Sequence, residues 1–179
     1  MHTEESLHEF WRRDIERRQP SLVNMCASGV ILHSDGGLAE SLANEAATLL
    51  AQGPRALSDA ERDARRYAIS DALDDLSGTE SVAEAMVIGA MLLQDVANFS
   101  LAAAQRWEAR GKWTFRLFEE ADPAAATSAV TAFRRLATDG VTGPFITWAD
   151  GVLGAHGGRL FEGYRVVAAP SPKAPGATG

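Results

Sequence analysis

Hydrophobic positions along this chain recur mostly at helical spacing, and the stretch from Ser81 to Trp113 stands apart within that pattern. Between Ala85 and Leu93 it carries no polar side chain at all. A helix apolar on every side has to be surrounded by other elements or by lipid. Nine residues fall well short of the roughly 20 that span a bilayer, and Gln94, Asp95 and Asn98 follow at once. The stretch therefore reads as a buried central helix. Ser81-Val82-Ala83-Glu84 has the form of a capping box that would open it. The helix is expected to run to about Arg110, with Gly111 ending it in a left-handed conformation.

The rest of the chain is punctuated in the same way. Leu7, Phe10, Trp11 and Ile15 mark an amphipathic helix over residues 3–18, with Glu4 and Glu5 early and Arg12, Arg13, Arg17 and Arg18 late, an order that complements the helix dipole. Pro20 ends it, and Ser21 opens a short turn through Leu22, Val23 and Met25. Gly29-Val30-Ile31-Leu32-His33 reads as a strand stopped by Ser34-Asp35-Gly36-Gly37. A lone strand needs a ladder partner, either Tyr164-Arg165-Val166-Val167 or a separate polypeptide. Leu38, Leu42, Ala46 and Leu49 form one face of a helix closed by Gly53-Pro54. Ser58-Asp59-Ala60-Glu61 is a second capping box, opening a helix to about Leu76 with Tyr67, Ala68, Ala72, Leu73 and Leu76 on its apolar side. A short helix follows over residues 112–118. Asp122-Pro123 starts another that runs to about Ala137, and Gly143-Pro144 starts the last, with Phe145, Trp148 and Val152 inward. The expected fold is all-α: an up-and-down helical bundle around a long central helix, with one or two short strands near Gly29 to His33 and Tyr164 to Val167. Residues 1–167 would form one domain, its first 35 residues an N-terminal helix and strand segment, and the Pro-, Ala- and Gly-rich residues 168–179 a disordered tail.

Composition sharpens this picture. A chain of 179 residues with 46% hydrophobic content can bury a proper core. A net charge of −7 argues against general nucleic-acid binding, although local basic clusters could hold a nucleotide or phosphate. The single Cys26 excludes an intramolecular disulfide and suits a reducing cytoplasm. The charged N-terminus has no apolar signal region, and no membrane span is expected.

Three groups of residues invite a chemical reading. Asp71, Asp74 and Asp75 share one helix surface, as a cation or polyamine site or as an ordinary solvated acidic face. Gln94, Asp95 and Asn98 interrupt an apolar helix, with Gln105 and Arg106 further along. They face either a ligand pocket or a satisfied network between helices. Arg106, Arg110, Lys112 and Arg116 crowd Trp107 and Trp113, either complementing the helix dipole or forming a phosphate- or nucleotide-facing edge with stacking surfaces. The candidate ligand-binding set is Asp71, Asp75, Asp95, Asn98, Arg106, Lys112, Trp113 and Arg116. His2, His8, His33 and His156 show no metal-ligand spacing, Cys26 lies in no recognisable catalytic setting, and no serine sits in a Gly-x-Ser-x-Gly elbow. Neither a metal, a cofactor nor a catalytic residue is assigned.

The order of these signals resembles the helical C-terminal domain of bacterial nucleotidyltransferases. Phe10-Trp11-Arg12-Arg13-Asp14, Ser28-Gly29-Val30-Ile31-Leu32-His33, and the helix from Leu38 to Gly53-Pro54 resemble the passage from a catalytic domain into its helical substrate domain. Leu57-Ser58-x-x-Glu61, Asp71-Ala72-Leu73-Asp74-Asp75-Leu76, Gly111-Lys112-Trp113 and Gly158-Arg159-Leu160-Phe161-Glu162-Gly163-Tyr164-Arg165 continue the pattern. The likeness is to kanamycin-type nucleotidyltransferases and to the stand-alone helical partners of minimal nucleotidyltransferases, the HEPN group. Catalysis in such enzymes uses a Gly-Ser pair, a spacer and Asp-x-Asp to hold two magnesium ions, and no Gly-Ser precedes an Asp-x-Asp here. The arginine a few residues before a histidine that marks active HEPN members is missing too. The resemblance therefore implies a non-catalytic helical substrate-binding or accessory domain, acting on a small molecule, a nucleotide or a nucleotidyltransferase partner. The alternatives from other classes are an enzyme with a divalent-metal carboxylate site and a structural module that homodimerises through residues 29–33.

Overall fold

The computed structural model describes residues 4–161, and these form eight α-helices: α1 (Glu4–Glu16), α2 (Ser21–Ser28), α3 (Leu38–Gln52), α4 (Asp59–Gly78), α5 (Val82–Ala103), α6 (Lys112–Ala121), α7 (Pro123–Asp139) and α8 (Gly143–Gly154). The all-α class is as expected. Local chemistry explains most boundaries. At α4 the Ser58 hydroxyl accepts from the Glu61 N–H at 3.2 Å, while the Glu61 carboxylate accepts from the Ser58 N–H at 2.9 Å, which completes the capping box. The Arg55 guanidinium, together with that N–H, holds the Glu61 carboxyl far below the usual glutamate range. At α5 only half of the predicted box forms. Ser81 accepts from the Glu84 N–H at 3.3 Å, but the Glu84 carboxylate accepts from the Thr79 hydroxyl instead, at 2.8 Å. Asp122 caps α7 through the Ala125 N–H at 2.9 Å, Pro123 opens it, and Gly140 closes it with φ 68°.

The helices gather around two separate interiors. Trp11, Val23 and Ala46 are the centre of the smaller, closed by Leu7, Ile15, Leu22, Leu42 and Leu49 of α1–α3. The larger is built by α4–α8, with Leu73, Leu92, Phe99, Phe118, Phe145 and Leu153 fully buried. Among the described residues no helix of the first group packs against a helix of the second. The groups meet through turns and polar contacts.

Several expectations are corrected. The central helix stops at Ala103 rather than near Arg110, because Gln105 takes φ 53° and the chain turns back. Gly111, expected to end that helix, instead precedes α6 with φ 56°. The strand over residues 29–33 is absent: α2 runs to Ser28, and the chain bends at Gly29 and Leu32 with Val30 and Leu32 almost fully exposed. No backbone hydrogen bond ties these five residues to the rest of the described chain, so nothing holds them in a ladder. Its suggested partner at Tyr164 to Val167, like the tail expected after Ala168, lies outside the described residues. Finally, residues 85–93 are not wrapped on all sides. Met86 is 41%, Val87 72% and Met91 51% exposed, because α4 and α7 cover only the side carrying Ala85, Gly89 and Leu92. Burial is complete only further on, around Val96, Phe99 and Leu101. By length and composition alone α5 passes as a membrane span, with a mean hydropathy of 1.5, yet the core helix of a soluble protein passes the same test. On α4 the apolar face is rotated slightly from the expected one: Ala68 is exposed, and Ile69 and Ser70 are buried.

The C-terminal described segment is fastened to α4 and α8. Arg66 donates to the Gly157 and Gly158 carbonyls at 2.6 and 2.9 Å, Ser70 accepts from the Leu160 N–H at 3.0 Å, and Arg159 forms a two-pronged pair with Asp150 at 2.7 and 2.9 Å. His156 in this segment meets the Phe99 ring edge-on, 5.2 Å between centroids. Burial, and secondarily Arg62, lowers its pKa. A base whose native pKa is depressed takes up protons more readily when unfolded, so its contribution is present above the unfolded value near 6.5 and is lost as pH falls from there through the native value. Replacing His156 with Phe should therefore flatten the loss of stability on acidification below about pH 6.5. Denaturant midpoints at two pH values check this, and an unchanged acid slope would remove the assignment.

Candidate functional site

The polar residues that interrupt α5 are spent on holding the segment after it. Asn98 accepts from the Ala109 N–H at 3.3 Å and donates to the Ala109 carbonyl at 3.2 Å, so one side-chain amide satisfies both backbone polar groups of one residue. Gln94 accepts from the Gly111 N–H at 3.0 Å. Of the two readings the sequence allowed, the satisfied network describes these two residues. Asp95 lies apart from them electrostatically: desolvation pushes its carboxyl above the ordinary aspartate range, and nearby Arg65 of α4 opposes that shift.

With residues 104–111 folded back, α6 presents a cationic and aromatic ledge. Thr114 and Phe118 take its buried side, which leaves Lys112, Trp113 and Arg116 outward. Trp113 is 54% exposed, with the Arg116 guanidinium 4.7 Å and the Lys112 ammonium 5.7 Å from its ring centroid. Trp113, Leu117 and Glu120 follow one another at i, i+4 and i+7 and so share a face of the helix. Leu117 and Glu120 form one wall of a pocket of about 240 Å³, whose other walls include Leu50, Pro54, Arg106 and Trp107. The Trp107 indole N–H donates to the Leu50 carbonyl at 2.9 Å, which fixes that wall. Arg106, Lys112 and Arg116 make no ion pair among the described residues. A larger hollow of about 560 Å³ runs along α1, but Glu5, Ser6, His8, Glu9 and Arg12 line it, all from one helix, so nothing closes over it.

No protein-family model, no curated protein and no solved structure matches this chain. The site is accordingly described from its own chemistry.

The predicted residues thus divide into three places. Lys112, Trp113 and Arg116 gather on α6, and Arg106 lines the pocket that Leu117 and Glu120 of the same helix help to wall. Asp95 and Asn98 sit on α5, where Asn98 is bound to Ala109. Asp71 and Asp75 are exposed on α4, in the half that follows the arginines. Among the described residues no three His, Cys, Asp or Glu side chains lie where they could share a metal ion.

Sequence reasoning missed the most heavily desolvated charges. Glu108 is only 5% exposed; it accepts two hydrogen bonds from Arg65 at 2.9 and 3.0 Å and has the Arg18 Nε 3.6 Å away. Arg18 is equally buried. It donates to the Arg55 carbonyl, its own carbonyl accepts from the Glu108 N–H at 2.8 Å, and its backbone is left-handed at φ 60°. Burial lowers the Arg18 pKa, with Glu108 the main opposing influence. This cluster locks the end of α1, the linker before α4, and the segment after α5. The one signal for it was a lone glutamate between Arg106 and Arg110.

Proposed function

We propose that this chain is a non-catalytic helical binding module, resembling the substrate domain of nucleotidyltransferases. It holds a phosphate-bearing small molecule or nucleotide, alone or for a catalytic partner, at the ledge of Arg106, Lys112, Trp113 and Arg116. One observation carries the reading. On a chain of net charge −7, two cations without acidic partners among the described residues, Lys112 and Arg116, flank the exposed Trp113 indole, and a third, Arg106, lines the open pocket that Leu117 and Glu120 of the same helix help to wall. Guanidinium groups match phosphate oxygens in pairs, and an indole face accepts a base or a sugar. Anions elsewhere on this acidic surface would be repelled.

Calorimetric titration with ATP at low salt tests it. Binding is expected, weakened roughly tenfold by either Arg106→Ala or Arg116→Ala, as loss of one charge-assisted hydrogen bond implies. It should also weaken as salt is raised. Incubation with nucleoside triphosphates and magnesium is expected to give no transfer. Equal affinity in the wild type and both arginine variants would end the assignment of the ledge, and nucleotidyl transfer onto any acceptor would end the non-catalytic reading.

A further inference from the structure

A helix apolar on every side needs cover on every side, and α5 receives it from its own chain over only its second half. Its first half buries Ala85, Gly89 and Leu92 and leaves Ala83, Val87, Ala90 and Gln94 exposed. These four positions are spaced 4-3-4 along the helix, the repeat by which one helix lies along another at a shallow angle. Met86 and Met91 flank the seam and are also exposed. Between Val82 and Leu93 the only charged residue is Glu84. Surface helices ordinarily turn polar side chains outward, and a contiguous apolar strip marks a contact site.

We propose that this seam is the docking face for a second copy of the chain, with the two α5 helices antiparallel about a twofold axis. The distribution of charge selects this occupant. Glu80 and Glu84 stand at one end of the seam, both exposed. At the other end the Gly111 N–H donates to Gln94, which sets Lys112 beside it. In an antiparallel pair each acidic end meets the other copy's Lys112, whereas a parallel pair would set acid against acid. The seam is also self-complementary in size: Val87 of one copy falls opposite Ala90 of the other, and small residues let the backbones approach. The same acids on a chain of charge −7 disfavour an anionic lipid surface as the cover. This proposal does not rest on the ligand reading, but the two share Lys112, which the dimer would pair with the other copy's acids.

Sedimentation equilibrium of the full chain tests it. The wild type is expected to be a dimer. Val87→Glu and, separately, Ala90→Arg should yield monomers with an unchanged far-ultraviolet circular dichroism spectrum, since both side chains are already in water in the monomer. Glu80→Lys should raise the dimer dissociation constant about tenfold, and adding Lys112→Glu to it should restore most of the loss. A monomeric wild type, a dimer indifferent to both seam variants, or a Glu80→Lys defect that Lys112→Glu deepens would each overturn the proposal. So would wild-type protein that stays monomeric and binds neutral phosphatidylcholine vesicles.

Discussion

Glu108→Ala should be among the most destabilising single changes in this protein, by about 3–5 kcal/mol. The carboxylate is almost fully enclosed, and two guanidinium groups converge on it: Arg65 through a two-pronged bond and Arg18 at 3.6 Å. Truncation leaves Arg18, itself 4% exposed, as a buried cation whose nearest opposite charge is gone. An intact buried ion pair adds little net stability, but half of one is strongly unfavourable. A loss of that size is a large part of the 5–15 kcal/mol by which whole domains are typically stable. Because α1–α3 and α4–α8 have separate interiors and this cluster ties them, the variant should also unfold in two steps. Urea titration followed by fluorescence and by circular dichroism checks both. Coincident curves with a midpoint within error of wild type would contradict the claim. The double variant Glu108→Gln with Arg18→Met should recover much of the loss, since an apolar replacement removes the stranded charge as well.

Phe99→Ala should cost about 3–5 kcal/mol. The ring is fully buried in the second half of α5, where it meets the edge of His156 and sits in the larger core. Removal deletes its burial and opens a cavity that rigid neighbours only partly fill. Val87→Ala, three turns earlier on the same helix, should change monomer stability by no more than about 0.5 kcal/mol, because that side chain is 72% exposed. The contrast between two apolar residues of one helix is the measurement that matters. Thermal melts of the two variants under monomeric conditions give it, and comparable losses would mean that the first half of α5 is covered by its own chain after all.

How much of this was legible in the sequence depended on where the controlling interactions lie. Helix starts were readable because a cap needs only residues a few positions apart: Ser58 with Glu61 and Asp122 with Pro123 specify their turns locally. The end of α5 was not, since it is set by Gln94 and Asn98 bonding to residues 11 to 17 positions later, a partnership that no periodicity encodes. The outward face of residues 85–93 was missed for a related reason. Composition says that a helix is apolar all round but not which neighbours come to cover it, and here α4 and α7 leave one side open. The strand expected at residues 29–33 rested on a short apolar run stopped by a turn signal, and such a run makes a strand only where a ladder partner exists. Of the candidate site, the clustering of Lys112 and Arg116 on Trp113 was readable from charge and aromatic spacing. The Arg18, Arg65 and Glu108 cluster draws on three segments far apart in the chain and left almost no local trace.

The pocket beside Trp107 takes one wall from Leu50 and Pro54, at the end of the N-terminal trio, and the other from Leu101 and Leu117 of the larger group. Its width is therefore set by how the two bodies are seated on each other. What seats them is a few polar ties at turns, not a shared apolar surface. A molecule wedged between those walls would press on the joint itself, and its grip would be read out as a change in how tightly the two halves hold together.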